Sequence, residues 1–217
     1  MMKLHVYFDY TCPFCYLGIG QLTTAAEAFP EIGIAWHPFE LLPEPMARPE
    51  HRPDPETGAL WPPALVDEAE KAGLLLRRPF SPTPYTNRAF QGMHFMAAHR
   101  GDVQDYNRRV FRAHFEQGRD IGRIDVLADI VSDLGADAYA FNISMKEGRY
   151  SDAQQKALRH AYFESGVEEV PTYKLAGLRI SGAVGRQTME KFLSDGLKNE
   201  QRSEQKSEAV RAETRNE

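Results

Sequence analysis

The chain is poor in the features that mark membrane, secreted or nucleic-acid-binding proteins. No stretch of its 217 residues approaches the roughly 18 consecutive apolar residues that a transmembrane helix requires. The first nine residues lack the apolar run of a secretory signal and resemble a strand instead. The 26 lysines and arginines are outnumbered by 31 acidic residues, and the two signs are interspersed, which argues against a nucleic-acid surface. We therefore expect a soluble, cytoplasmic protein that contacts neither membrane nor nucleic acid.

Cysteine is also scarce, but its placement is unusual. The chain has two cysteines, Cys12 and Cys15, and random placement would produce this C-x-x-C spacing only about 1% of the time. A structural zinc site would need two further ligands, and only His94 and His99 approach the spacing of a zinc-binding histidine pair. A structural disulfide would close too short a loop to stabilise the fold much, and a cytoplasmic compartment would not preserve it. The spacing therefore predicts a redox-active dithiol and no metal site.

The residues around the dithiol predict a strand followed by a helix. Residues 3–9 are rich in valine, tyrosine and phenylalanine, as a strand would be. Apolar residues then recur at helical spacing until Pro30, and Pro13 falls in the first helical turn, where proline is tolerated. Cys12 is thereby expected at the helix start, where unpaired N–H groups and the helix dipole lower the pKa of a thiol. We expect Cys12 to be the exposed nucleophile and Cys15, one turn later, to be the resolving thiol beneath it.

The segment 8–18 (FDYTCPFCYLG) resembles the active-site segment of DsbA-like thioredoxin-fold oxidoreductases. It is similar to the FrnE-like cytoplasmic branch, which is related in fold to 2-hydroxychromene-2-carboxylate isomerase and kappa glutathione transferase. Residues 36–43 (WHPFELLP), 170–172 (VPT) and 180–183 (ISGA) are similar to that branch as well. The resemblance covers about residues 3–195. It implies an α/β thioredoxin fold with an inserted all-helical domain, and thiol–disulfide exchange as the activity.

A proline near the C-terminus predicts the second half of the site. Pro171 is the only proline after Pro84, and it directly precedes a predicted strand. The resemblance implies that the Val170–Pro171 peptide bond is cis and faces the dithiol, so that Val170 could pair with an extended substrate by strand addition. The candidate substrate-binding residues are Pro13, Phe14, Val170, Pro171 and Thr172.

Two departures from the family pattern bear on the acidity of the nucleophile. Glu168 and Glu169 precede the Val-Pro pair where the family commonly has glycine, and they would place negative charge near Cys12, which opposes a thiolate. Phe14 replaces the histidine of periplasmic DsbA, and a phenyl ring neither donates to a thiolate nor carries positive charge. We therefore expect Cys12 to be less acidic, and the disulfide less oxidising, than in DsbA.

Proline placement also predicts where the helical insertion lies. Ten of the fourteen prolines fall between Pro43 and Pro84, so this connector holds only short regular elements, chiefly a helix near residues 63–73. From Asn87 onward, apolar stripes at helical spacing predict four helices. The residues predicted at the starts of the last three are Asp102, Asp125 and Asp137.

The last third of the chain predicts the second half of the thioredoxin fold. Residues 151–154 (SDAQ) have the form of a capping box and predict a helix that ends at Gly166. A hairpin over residues 172–181 and a helix from about Arg186 follow, and Gly196 is expected just beyond the end of that helix.

The remaining C-terminal residues differ in kind. From Lys198 the charges repeat like-to-like at i,i+4, which predicts a solvated tail that is frayed or loosely helical. The predicted organisation is therefore two halves of a thioredoxin fold (1–45 and 150–197), a connector with a helical insertion (46–149) and a charged tail (198–217).

Three functions compete for this sequence. The leading interpretation is a thiol–disulfide oxidoreductase in which Cys12 attacks a substrate disulfide and Cys15 releases the reduced product. The second keeps the fold and makes it a glutathione-dependent isomerase or transferase, although related enzymes of that type use a single serine or cysteine at the helix start. The third is a non-catalytic peptide-binding or chaperone-like module. We expect protein or small-molecule thiols and disulfides as substrates, no cofactor apart from glutathione as a redox partner, and a monomer or homodimer.

Overall fold

The computed structural model describes residues 2–213, and the side chains of residues 2–206. One four-stranded sheet lies at its centre, in the order β2-β1-β3-β4. The strands are β1 (Met2–Phe8), β2 (Ile32–Pro38), β3 (Thr172–Leu175) and β4 (Leu178–Ser181). β1 pairs parallel with β2 and antiparallel with β3, which pairs antiparallel with β4. Strands from the two ends of the chain therefore build one sheet, which is the predicted α/β thioredoxin fold split by an insertion.

Eight α-helices surround or extend this sheet in the described part of the chain. They are α1 (Pro13–Ala26), α2 (Pro63–Lys71), α3 (Asn87–Ala98), α4 (Val103–Phe115), α5 (Ile124–Asp133), α6 (Ala138–Lys146), α7 (Ser151–Arg159) and α8 (Arg186–Glu213). A π-helical turn (His160–Glu164) extends α7. α1 packs against α8, whereas α3 to α6 pack on one another and form the insertion, which contacts α7 through α3 and α1 through α4. Within residues 2–213, no helix combines the length and apolar character needed to cross a membrane.

The strand that leads to the dithiol lies in the middle of the sheet. Its residues Leu4, Val6 and Phe8 are completely buried, because neighbouring strands flank β1 on both sides and helices cover it. The chain then makes a short buried turn and enters α1 at Pro13, as predicted. This arrangement holds Cys12 firmly, since the turn that carries it is anchored at both ends by buried regular structure.

Two predicted helix starts lie further toward the N-terminus in the structure, that of α5 by two residues and that of α7 by one. Asp125 does not cap α5, which begins at Ile124 with Arg123 at the N-cap position. The Asp125 carboxylate instead pairs with the Arg123 guanidinium at 2.7 Å. Similarly, Ser151 is the first residue of α7 rather than its cap, and Tyr150 in the cap position makes no side-chain hydrogen bond, so no capping box forms.

The predicted end of the last helix is also wrong. α8 passes through Gly196 and continues to Glu213. Any Cβ at position 196 would overlap the side chain of Leu175, so the glycine marks a close approach of α8 to β3 rather than a helix end. The predicted tail is therefore an extension of α8 as far as Glu213, while residues 214–217 lie outside the described residues.

Candidate active site

The junction of β1 and α1 places the first cysteine at the helix start, as predicted. Cys12 is the N-cap residue of α1, with an extended backbone (φ −84°, ψ 114°), and Pro13 occupies the first helical position. The Cys12 sulfur accepts a hydrogen bond from the backbone N–H of Cys15 at 3.3 Å. A sulfur in this position takes the place of a capping oxygen, and a negative charge on it is stabilised by the unpaired N–H groups of the first turn.

The two sulfurs differ in exposure, although less than expected. Cys12 keeps 6% of its surface exposed and Cys15 none. The expectation of a freely exposed nucleophile is therefore wrong, because the loop before β3 covers the site and the Val170 carbonyl oxygen lies 3.7 Å from the Cys12 sulfur. Cys12 nevertheless remains the outer of the two thiols, with Cys15 beneath it.

The two thiols also differ in acidity, in opposite directions. A hydrogen bond from the Cys15 thiol, together with the Cys15 backbone N–H, lowers the pKa of Cys12 against the opposing effects of burial and of the Asp9 charge. Burial raises the pKa of Cys15 well above its ordinary value, and the neighbouring Cys12 adds to this effect. Cys12 is thus the thiol that ionises first.

The loop opposite the dithiol has the predicted backbone. The Val170–Pro171 peptide bond is cis. The Pro171 carbonyl oxygen accepts a hydrogen bond from the backbone N–H of Gly182 at 2.8 Å, which ties the loop to the end of β4. Phe14, in the first turn of α1, has a half-exposed side chain. The loop before β3 therefore lies against Cys12 through the Val170 carbonyl oxygen.

One candidate substrate-binding residue does not face a substrate. Thr172 is completely buried and lies in β3 between β1 and β4. Its hydroxyl donates to the Glu169 carbonyl oxygen at 2.7 Å and lies 2.7 Å from the Ser181 hydroxyl. Thr172 therefore braces the loop before β3 from the inside, which corrects its predicted role.

The negative charge near the nucleophile comes from a residue that the sequence analysis missed. Glu168 and Glu169 are exposed, and the carboxylate that opposes ionisation of Cys12 is that of the fully buried Asp9. Its Oδ1 accepts hydrogen bonds from the Thr11 backbone N–H at 2.8 Å and the Thr11 hydroxyl at 2.9 Å.

Asp9 also links the nucleophile turn to the segment after β2. Its Oδ2 accepts a hydrogen bond from the Leu41 N–H at 2.6 Å. Burial raises the pKa of Asp9, while these hydrogen bonds lower it. An aspartate that bonds the backbone two residues on is a common turn signal, and it could have identified Asp9 three residues before Cys12.

A second buried carboxylate connects this region to the helical insertion. Glu40, which directly precedes Leu41, is 3% exposed. Its Oε1 accepts hydrogen bonds from Asn87 Nδ2 of α3 at 2.9 Å and from Gln154 Nε2 of α7 at 2.8 Å. The position of the insertion is thereby coupled to the turn that carries Cys12.

These features define a class of protein. A strand, a helix that begins with a C-x-x-C dithiol and a parallel second strand are followed, after the insertion, by a cis-proline loop that faces the dithiol. This is the arrangement of thioredoxin-fold proteins of the thiol–disulfide exchange class.

Comparison with known proteins gives the family. The chain belongs to the DsbA-like thioredoxin domain family, whose model matches residues 3–194. It is 36% identical over 198 residues to the uncharacterized protein YwbO of Bacillus subtilis, covering 91% of this chain and 98% of that protein.

Solved structures share the fold at lower identity. A probable DsbA oxidoreductase from Streptomyces coelicolor superimposes with a TM-score of 0.77 at 21% identity, covering 91% of this chain and 90% of the other. A 2-hydroxychromene-2-carboxylate isomerase gives 0.70 at 21% identity (93% and 98%). The cytosolic disulfide reductase DsbM from Pseudomonas aeruginosa, also solved with GSH, gives 0.64 at 19% identity (91% and 99%). At these identities the likeness shows the shared fold.

Proposed function

We propose that the protein is a thiol–disulfide oxidoreductase with Cys12 as nucleophile and Cys15 as resolving thiol. The observation that carries this proposal is the opposite perturbation of the two sulfurs within one helical turn. Cys12 accepts the N–H of Cys15 at the helix start and has a lowered pKa, whereas the pKa of the buried Cys15 is raised. A dithiol that exchanges disulfides needs one thiol that ionises readily and a second that is held back until a mixed disulfide has formed.

The reaction then runs in two balanced steps. The Cys12 thiolate attacks one sulfur of a substrate disulfide, a mixed disulfide forms, and the other substrate sulfur leaves as a thiolate and takes a proton. Cys15 next loses its proton and attacks the Cys12 sulfur, which releases the second substrate thiol and leaves a Cys12–Cys15 disulfide. The substrate disulfide gains two electrons and two protons, and the same steps in reverse oxidise a dithiol.

The limited exposure of Cys12 favours a substrate whose disulfide is not surrounded by bulky folded structure. With 6% of Cys12 exposed and the Val170 carbonyl oxygen 3.7 Å from its sulfur, the site suits a small disulfide or an extended peptide segment better than a folded surface. Of the candidate binding residues, we propose that Pro13, Phe14 and the part-exposed Val170 meet the substrate. Pro171 is buried and would act by shaping the loop that carries Val170.

We propose glutathione as the redox partner, and no resident cofactor. The structure of the DsbM neighbour with GSH supports this choice, and the cytosolic location of DsbM supports a cytoplasmic location for the present protein. We propose that the protein acts as a monomer or homodimer. Phe14 cannot donate to the Cys12 thiolate, and we therefore propose a disulfide less oxidising than that of DsbA, whose potential is about −120 mV.

The test uses the fact that the chain has only two cysteines. Insulin reduction and refolding of scrambled ribonuclease are measured for the wild type, Cys12→Ser and Cys15→Ser. We expect both variants to lose activity and Cys15→Ser to accumulate a mixed disulfide, which mass spectrometry must assign to Cys12, since no other thiol is left.

Two other outcomes would replace the proposal. Activity that survives Cys15→Ser but requires glutathione would favour the isomerase or transferase. Peptide binding that ignores both substitutions, with no turnover in the wild type, would indicate a non-catalytic module.

A further inference from the structure

A buried tyrosine beside the dithiol has an unused hydroxyl. Tyr173, in β3, is completely buried, and its hydroxyl has no hydrogen-bond partner among the described residues. Buried hydroxyl groups are nearly always paired, because an unpaired one loses its bonds to water without replacement. A donor in this condition calls for a functional explanation.

The Tyr173 hydroxyl lies against the helix that carries both cysteines. A Cβ at Gly18 would overlap the Tyr173 oxygen and lie 3.2 Å from Pro171 Cγ. Gly18 is in α1 three residues after Cys15 and therefore on the same helix face. The hydroxyl thus occupies the space between the proline loop and the turn of α1 that follows Cys15.

Gly18 leaves room for the Tyr173 hydroxyl, although glycine lowers the stability of α1. Glycine within a helix is less favourable than alanine, because its backbone loses more conformational freedom on folding. At position 18, however, any larger residue would displace the Tyr173 hydroxyl or the Pro171 ring. The glycine at position 18 therefore preserves the space that the Tyr173 hydroxyl occupies.

Negative charge on either sulfur disfavours ionisation of the Tyr173 hydroxyl, which therefore stays protonated. Burial raises the pKa of Tyr173 well above its ordinary value, and negative charge on Cys15, then on Cys12, raises it further. Tyr173 consequently remains a hydrogen-bond donor throughout the reaction. Cys15, by contrast, must form a thiolate in a place that water does not reach.

We propose that the Tyr173 hydroxyl donates a hydrogen bond to the Cys15 sulfur as it becomes a thiolate, and so accelerates the resolving step. In that step Cys15 attacks the Cys12 sulfur of the mixed disulfide, the Cys12–Cys15 bond forms, and the bond from Cys12 to the substrate breaks. The departing substrate sulfur takes the bonding electrons, and the proton lost by Cys15 ends on that substrate thiol. This inference rests on the proposed oxidoreductase function.

The two chemical steps can be separated with a chromogenic aromatic disulfide. Reduced protein is mixed with 5,5′-dithiobis(2-nitrobenzoate) in a stopped-flow spectrometer. Attack by Cys12 releases the first coloured thiolate at a rate proportional to reagent concentration. Attack by Cys15 then releases the second at a rate independent of concentration. Tyr173→Phe removes only the hydroxyl and keeps the ring that fills the core.

We expect Tyr173→Phe to slow the second phase about tenfold, the worth of one hydrogen bond to a charged group, and to leave the first phase within about twofold. The slow phase should recover as the pH is raised, because a less stabilised thiolate needs a more alkaline solution. In urea unfolding, the variant should be at least as stable as the wild type, since the Tyr173 hydroxyl of the wild type makes no hydrogen bond among the described residues.

Tyr106→Phe is the matched control. Tyr106 is also fully buried, but its hydroxyl donates to the Ala89 carbonyl oxygen at 2.9 Å within the insertion. This variant should lose stability and keep both phases. An unchanged second phase in Tyr173→Phe, or equal slowing of both phases at every pH, would overturn the inference alone. A wild type without a second phase would instead overturn the proposed function.

Discussion

The histidine buried in α4 leads to a quantitative prediction about acid stability. His114 is completely buried against Phe115, whose ring centroid lies 4.6 Å away, and neither of its ring nitrogens has a partner among the described residues. Burial lowers the pKa of His114 from 6.5 to about 3, with a smaller contribution from His51. The neutral imidazole is thus strongly favoured in the folded state.

The sign and size of the effect follow from proton linkage. The folded protein does not protonate His114 until far below pH 6.5, whereas the unfolded chain does so at its ordinary value, so stability falls as the pH drops through this range. Relative to a pH at which His114 is neutral in both states, the free energy of unfolding is lower by about 0.2 kcal/mol at pH 7 and by about 2 kcal/mol at pH 5. The loss at pH 5 depends almost entirely on the pKa of this histidine in the unfolded chain, because its pKa in the folded protein, about 3, lies far below pH 5.

The perturbation is His114→Leu, which keeps a similar volume and the helix-forming tendency of α4. Urea unfolding of both proteins at pH 5, 6 and 7 measures the difference in free energy of unfolding. We expect the leucine variant to gain about 2 kcal/mol over the wild type between pH 7 and pH 5. The five histidines other than His51, whose ring centroid lies 6.3 Å from that of His114, cancel in this difference. A difference that stays constant with pH would refute the reasoning, since it would show that His114 titrates alike in both states.

Three further predictions concern the dithiol. Gly18→Ala should destabilise the protein by up to about 2 kcal/mol despite the better helix propensity of alanine, because the methyl group overlaps Tyr173. The matched Gly20→Ala, which meets only the flexible tip of a leucine at 2.9 Å, should be neutral or stabilising, and equal behaviour of the two in urea would contradict this packing. Phe14→His should make the disulfide more oxidising in glutathione redox buffers, by about 30 mV for each 1.4 kcal/mol of thiolate stabilisation, and an unchanged potential would speak against a role for this position. Finally, iodoacetamide should alkylate Cys12 with a pH midpoint below the ordinary thiol value of 9.0, and a midpoint above it would contradict the lowered pKa.

Errors in the predicted helix boundaries arise where a local signal has two structural meanings. Gly196 is a residue type that is common at helix ends, yet α8 continues through it, and Leu175 of a distant strand packs against the glycine. Ser151 and its neighbours have the letters of a capping box, but the preceding turn already starts the helix. At Gly196 a contact with a residue far along the chain decides between the two meanings, whereas at Ser151 the preceding turn decides.

The sequence alone determined that the dithiol lies at the start of a helix, with Cys12 in the N-cap position. Pro13 and the C-x-x-C spacing lie within one helical turn, where the position of a residue follows from the backbone geometry of its neighbours. The tertiary structure decided how deeply Cys12 is buried and which groups surround it. The Val170 carbonyl that covers its sulfur comes from 158 positions away, and Tyr173 reaches Gly18 across a similar separation. Such contacts depend on how the two halves of the sheet meet, which no local pattern of residues contains.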